Sequence, residues 1–371
     1  MKRILILAYT DLKMDPRPYR QIKSLGNDFE VHSAGTSKAG IEYQFHLIKK
    51  RSFINELINL PMLKFGFYDS FYWDKAKNRF CLEMKNISFD LVIAHEIRLV
   101  PLAIKIAGSA PVILDAHEYS PLNFDDDPFW RFFYKDYYIF LCSKFIPKVQ
   151  QMITVSKGIV QEYKKNFLVE PVLVTNACEF KDLKPNPVGS KIKLLHHGIV
   201  SSSRSLEIML DMMDFLNSDF ELYLMLVFRD STRFHWKRLV KKASKNPRII
   251  FLKPVPREIL VEYSNQFDVG LAFFPPNNFN LKFALPNKFF EYIQSRLMVL
   301  VGPDYEMSPL VRKYQFGVVS KEWTAESMAK SLSRLDKDEI NRLKTNANVA
   351  ALELNSEKQM EVLKKVVEGL I

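Results

Sequence analysis

Short runs of β-branched and apolar residues recur along the chain, each followed by a stretch with helical spacing. No other feature constrains the fold as much. The first group is RILILA (3–8), EVHSA (30–34), DLVIAH (90–95), PVILDA (111–116), QMITVS (151–156) and PVLVTN (171–176). FKDLKPNPVGSK (180–191), rich in Pro, Gly and Lys, reads as a linker. The pattern then restarts with KLLHHG (193–198), ELYLMLVF (221–228), RIIFLK (248–253), DVGLAFF (268–274), LMVLVG (297–302) and FGVVS (316–320). Most runs are nearly all apolar, as parallel strands covered on both faces must be. The sequence therefore predicts an α/β fold of two tandem doubly wound parallel-sheet (Rossmann-like) domains facing a central cleft, where ligands of such sheets bind. The expected domains are 1–185 and 190–350, with 351–371 a C-terminal helix returning to the first.

Composition and motifs narrow the function by exclusion. A hydrophobic content of 47% with 26% charged residues is that of a soluble globular protein. Cys81, Cys142 and Cys178 lie far apart with no C-x-x-C spacing, so neither a zinc site nor a disulfide framework is indicated, and a reducing cytoplasm is expected. The apolar run at the N-terminus is too short for a signal peptide, and no window approaches a membrane span. The net charge of +11 attracts anions but does not choose among nucleic acid, lipid headgroups and nucleotide diphosphates. No nucleic-acid motif accompanies it. The first strand is followed by YTDLKMDPRPYR, without the G-x-G-x-x-G of a dinucleotide site; P-loop and G-x-S-x-G motifs are also missing.

ALPNKFFEYIQSRLMVLVG (284–302) carries the most chemistry. Pro286 suits the first turn of a helix, whose N–H groups and dipole can hold a phosphate. Helical spacing puts Asn287, Lys288, Glu291 and Ser295 on one face, and Phe289, Phe290, Ile293 and Leu297 on the buried one. Glu291 is then either a ribose ligand, with Lys288 on a diphosphate, or half of a surface ion pair with Lys288.

This segment with its continuation, PLVRKYQFGVVS, resembles the donor-binding part of GT-B glycosyltransferases, specifically the large retaining family 4. The resemblance extends over nearly the whole chain through DPRPYRQIKSLGNDFEVHSAG (15–35), FDLVIAHE, PVILDAHEYSP, ITVSKGIVQEYKKNF, KLLHHGIVSSSRSLEIMLDMM and IIFLKPVPREILVEYSNQFDVGLAFFP. It implies GT-B architecture, a UDP- or GDP-sugar donor bound by the second domain, and transfer with retention of configuration and no required metal or other cofactor. The acceptor would be a glycan or lipid-linked glycan, in cell-surface polysaccharide assembly. Carried over by position, Glu291 would bind the ribose. Arg204, after the loop that starts at Gly198, would lie on the diphosphate with Lys288 and Asn287. His117 would contact the transferred sugar; its other reading is a structural histidine. The departures are Phe283, where the family often has a second glutamate; Ser205 and Arg296, where glycine is usual; and VFRDSTR (227–233) in place of a glycine loop, which makes Arg229 or Arg233 a phosphate candidate. These departures keep open a catalytically degenerate nucleotide-sugar-binding or scaffolding protein. A nucleotide-sugar 2-epimerase on the same fold is the third reading.

Asp11, Asp15 and Arg17 follow the first strand and are acceptor-side candidates or turn formers. DDDPFW (125–130) reads as a helix start rather than a metal-binding D-x-D. Residues 52–80, aromatic and bordered by Lys49, Lys50 and Arg51, suit either peripheral contact with the inner face of a membrane or ordinary helix packing on the sheet.

Overall fold

The computed structural model describes residues 1–371, the side chain of Ser202 apart. The chain divides into two compact units, Met1–Thr175 with Gln359–Ile371, and Asn176–Lys358. In the first unit the apolar runs form β1 (Arg3–Leu7), β2 (Glu30–Gly35), β3 (Gln44–Leu47), β4 (Leu91–His95), β5 (Val112–Ala116), β6 (Gln151–Thr154) and β7 (Val172–Leu173). They make one seven-stranded sheet in the order β3-β2-β1-β4-β5-β6-β7. Every pairing is parallel. Side chains alternate across a strand, so Ile4, Ile6, Leu91, Ile93, Ile113 and Ile153 share one face. Ile22 and Leu25 cover that face together with Met360, Leu363 and Val367 of the helix Ser356–Glu368.

The second unit carries β8 (Ile192–Ile199), β9 (Phe220–Val227), β10 (Ile249–Leu252), β11 (Val269–Ala272), β12 (Met298–Val301) and β13 (Gly317–Val319). Their order is β10-β9-β8-β11-β12-β13, again parallel throughout. Leu194, Leu222, Leu271 and Leu300 pack into one apolar cluster, while Leu195, Ala272, Val299 and Val301 pack into another on the opposite face. Gly270 lets the helix Asn287–Gln294 lie close on the sheet: a Cβ there would sit 2.3 Å from the Tyr292 ring. The segment 180–191, expected as a linker, is part of this unit. Lys181 N–H donates to Gln294 (3.1 Å), Asn186 to the Asn265 side chain (2.7 Å), and Val188 N–H to Asn341 (2.9 Å).

In both sheets the strand order reverses next to the unit's first strand, between β1 and β4 and between β8 and β11. Ligands of open parallel sheets bind outside the carboxyl ends of the strands at such switch points.

Candidate functional site

At the carboxyl end of β8 the sequence His196-His197-Gly198 meets the helix Asn287–Gln294. Gly198 has φ +133°, and a Cβ there would lie 2.7 Å from Lys288 Nζ and 3.5 Å from Arg204 Nη1. The backbone conformation there favours glycine, and a side chain would displace the Lys288 tip from over it. Both cations also lie over Phe274, with Lys288 Nζ 5.1 Å and Arg204 Cζ 5.9 Å from the ring centre. Lys288, placed by spacing on the polar face, is buried with 6% of its surface exposed.

The polar partners of Lys288 are fixed by chemistry. His196 Nδ1 lies 2.9 Å from the Leu271 carbonyl, which can only accept, so Nδ1 carries the proton. Its Nε2 lone pair then accepts from Lys288 Nζ at 3.3 Å. Burial, Lys288 and other neighbouring cations push His196 well below its ordinary range, so it is neutral. Burial and then Arg204 push Lys288 well below the usual lysine value, against the pull of Glu291. Glu291 itself approaches His197 Nε2 at 3.6 Å, and the Tyr292 hydroxyl accepts from His197 N–H at 3.2 Å. The cluster gathers two cations, Lys288 and Arg204, with the Glu291 carboxylate at their side, a grouping suited to an anion. Pro286 occupies the N-cap rather than the first turn, and no side chain caps this helix. Asn287 is its first residue.

The departures from the resembled pattern sort themselves physically. Ser205 (φ +47°) and Arg296 (φ +60°) both keep the left-handed backbone that glycine favours. Ser205 is held by Asn277, which donates to its Oγ (3.0 Å) and to the Ser203 carbonyl (2.8 Å). Arg296 donates to Asn348 (2.7 Å), to the Gln294 carbonyl (2.6 Å) and to the Lys181 carbonyl. Phe283 joins an aromatic cluster, 5.3 Å from Phe279 and 5.6 Å from Tyr305, with Lys282 over it. Arg229 lies on the exposed turn after β9, where its N–H bonds Thr232 (3.0 Å), and Arg233 pairs with Asp230 on the surface. The contacts that join Lys288, Arg204 and Gly198 do not include either arginine.

In the first unit, β4 and β5 each end near a histidine. His95 Nδ1 is 2.8 Å from His117 Nε2 and 3.5 Å from Asp115 Oδ2. With an ionised acceptor on one side, His95 Nδ1 holds the proton and donates to His117, leaving the protonated His117 Nδ1 3.5 Å from Glu96 Oε1. Burial lowers His95 to about 4 against the pull of Asp115. Burial also lowers His117. Glu96, at φ +73°, is raised to about 8 by burial and by Glu118. Burial opposes ionisation of Asp115, but Arg17 overrides it and holds the carboxyl well below the usual range.

Arg17 is buried, with Nη2 2.7 Å and Nε 2.8 Å from Asp115, and Gln21 Nε2 is 2.6 Å from the same carboxylate. Asp15 caps the helix Pro16–Leu25 by accepting from Arg17 N–H. Asp11 accepts from Lys13 and Met14 in the preceding turn. His95, Asp115 and His117 present metal-ligand atoms within 4.8 Å of one another, yet both Asp115 oxygens already accept from Arg17 or Gln21. In the acidic run, Asp127 caps the helix Pro128–Phe133. Sequence reasoning did not single out His95, Glu96, Asp115, His196, His197 or Tyr292. The repeated Ala-His-Glu at 94–96 and 116–118 was a usable signal.

No protein-family model matches the chain, and no curated protein matches it in sequence. Its fold is nonetheless found among solved structures. Anabaena HepE in complex with UDP-glucose is similar at TM-score 0.74 and 11% identity, covering 100% of both chains. Sucrose-phosphate synthase from Thermosynechococcus elongatus is similar at TM-score 0.72 and 12% identity, covering 100% of this chain and 99% of that one. A glycosyltransferase from Rickettsia africae is similar at TM-score 0.69 and 11% identity, covering 100% of this chain and 98% of that one. The chain has the α/β GT-B fold of these glycosyltransferases.

Proposed function

We propose that the chain is a retaining glycosyltransferase that moves a sugar from a UDP- or GDP-linked donor onto a glycan or lipid-linked glycan, in cell-surface polysaccharide assembly. The observation that carries this reading is the pair of cations, Arg204 and Lys288, converging over Gly198 at the switch point of the second sheet. Anabaena HepE, which shares the fold, is complexed with UDP-glucose.

In this reading the donor diphosphate lies over Gly198 and Glu291 accepts from the ribose hydroxyls. As the bond from the anomeric carbon to the phosphate oxygen breaks, negative charge develops on the departing diphosphate. Arg204 and Lys288 stabilise it in a site from which water is largely excluded. The acceptor hydroxyl attacks on the same face and its proton passes to the departing phosphate oxygen, so no carboxylate nucleophile and no metal are required. His117, oriented by His95, contacts the transferred sugar; Arg17 acts through Asp115 as a positioning residue. Asp15 fixes the start of Arg17's helix.

The setting is the cytoplasmic face of a membrane. Among the described residues no helix is long and apolar enough to cross one. The helix Phe53–Lys64 exposes Phe53, Ile54, Leu57 and Ile58 beside Lys49 and Lys50, a combination that suits an anionic lipid surface. A second reading, a donor-binding protein without turnover, draws on Phe283, which stands at the sequence position where the resembled family often has a second glutamate. The test is to incubate the purified protein with a panel of nucleotide sugars and lipid-linked acceptors and assay released nucleoside diphosphate. Turnover with one donor is expected. Nucleotide binding without turnover across a broad panel overturns the enzyme reading in favour of the second.

A further inference from the structure

The first unit contains a cavity of about 170 Å³ that the donor chemistry does not use. Its walls come from Tyr9 after β1, Lys50, Arg51, Lys77, Arg98 just after β4, and Tyr137. It therefore opens at the same β1–β4 switch point as the histidine cluster, and Arg98 stands two residues beyond Glu96. Glu56, on the helix that exposes the apolar face, forms part of the rim.

The charges here do not balance. Arg51 and Lys77 share Asp74, at 3.3 and 2.7 Å. Glu56 accepts from the Tyr134 hydroxyl at 2.8 Å. Among the described residues, neither Lys50 nor the Arg98 guanidinium forms a salt bridge or a hydrogen bond, and Glu96, the carboxyl that pulls on Arg98, is itself raised to about 8 by burial and so is largely neutral. Lys50 is lowered by burial and by Arg98, the mark of two cations facing each other without an anion between them. The Tyr9 and Tyr137 hydroxyls likewise bond no described residue. Burial raises both phenols, so each stays neutral and can donate. Two uncompensated cations and two O–H donors around an aromatic-walled hollow match the several oxygens and the charge of a phosphate ester.

We propose that this cavity binds a phosphate group on the acceptor, so that the substrate class is a phosphorylated acceptor rather than a neutral glycan. The inference rests on the transferase reading for the word acceptor, but the anion site itself does not. A sugar phosphate and a lipid-linked diphosphate share this chemistry, and in the second case the hydrocarbon would run toward the exposed face of the helix Phe53–Lys64.

The test is calorimetric titration of the full chain with glucose 6-phosphate and with geranyl diphosphate, each against its uncharged counterpart, glucose or geraniol, and separately with UDP. At least one phosphate ester is expected to bind at least tenfold more tightly than its counterpart. Arg98→Ala and Lys50→Ala, both exposed positions, should each weaken it about tenfold while UDP affinity is unchanged. Tyr9→Phe, which removes only the hydroxyl, should weaken it a few-fold. Tighter binding of geranyl diphosphate identifies the lipid source, and tighter binding of glucose 6-phosphate the sugar source. Phosphate binding indifferent to Arg98→Ala and Lys50→Ala, or no preference over the uncharged counterparts, overturns the proposal. Failure to bind UDP together with Arg98-dependent phosphate binding sinks the donor reading and leaves the anion site standing.

Discussion

The two units place histidines at the carboxyl edges of their sheets, yet they treat charge in opposite ways. In the first, Asp115 and Arg17 are buried together, with Gln21 filling the remaining hydrogen bonds, so the charge is settled inside the protein. In the second, Lys288 is buried against a neutral histidine with another cation nearby, and Glu291 pulls on it without closing a salt bridge. A settled pair holds geometry, which here means the orientation of His95 and through it His117. An unsettled cation costs stability until an anion arrives, and that cost is the sign of a binding site rather than a scaffold.

The strongest way to break this contrast is to remove one member of the settled pair. Asp115→Ala leaves Arg17 buried and uncompensated and should destabilise the first unit by about 3–5 kcal/mol in a urea melt. A loss under 1 kcal/mol would mean that the pair does not hold the unit. The matching change in the second unit should act the other way. Lys288→Met should raise the melting temperature of the unliganded protein by about 2–4 °C, an effect on the order of 1 kcal/mol. It should also cut turnover by roughly 10²–10³-fold, as for loss of a group that stabilises developing charge. A drop in both melting temperature and turnover would show that Lys288 is structural. Arg204→Ala should match the kinetic loss.

Glu291→Ala sharpens the comparison at the nucleoside end. Loss of hydrogen bonds from hydroxyls to a carboxylate should weaken UDP binding about 10–100-fold with an unchanged melting curve. Unaltered affinity would remove the ribose role.

The pH dependence follows from Lys288. Its value in the unliganded fold is pushed below that of the unfolded chain, so the fold binds fewer protons there; stability gained above the unfolded value is lost as pH falls through the folded one. A bound diphosphate raises the value again, so binding takes up a proton, and UDP affinity should fall as pH rises through that window. Titrations in two buffers of different ionisation enthalpy measure the proton directly, and no difference between them refutes the linkage. The smallest effect belongs to the left-handed residues. Ser205→Gly should change stability by no more than about 1 kcal/mol, because relief of φ strain offsets added chain entropy.

The strands were legible because a parallel sheet covered on both faces leaves an apolar signature. The exception is β3, whose sequence QFHL lies at a partly exposed edge and lacks that signature. The donor helix was legible in position but not in detail. Spacing placed Lys288 on the polar face beside Glu291, whereas the close approach at Gly270 lays the helix deep enough to bury Lys288 against His196. The first-unit cluster was the least legible. Arg17 and Asp115 are far apart in sequence and meet only because β1 and β4 order the sheet between them. The positive φ at Ser205 and Arg296 was foreshadowed by the missing glycines, but the hydrogen bonds that hold each residue there come from distant Asn277 and Asn348.

The last helix has a consequence for how the chain comes off the ribosome. Met360, Leu363 and Val367 complete the core of the first unit, although they are made after every residue of the second. While the second unit is being synthesised, the first presents an open apolar face around Ile4, Ile6 and Ile93. The N-terminal half is therefore begun first and finished last, and its window of exposure to chaperones and to aggregation spans the translation of the whole second unit.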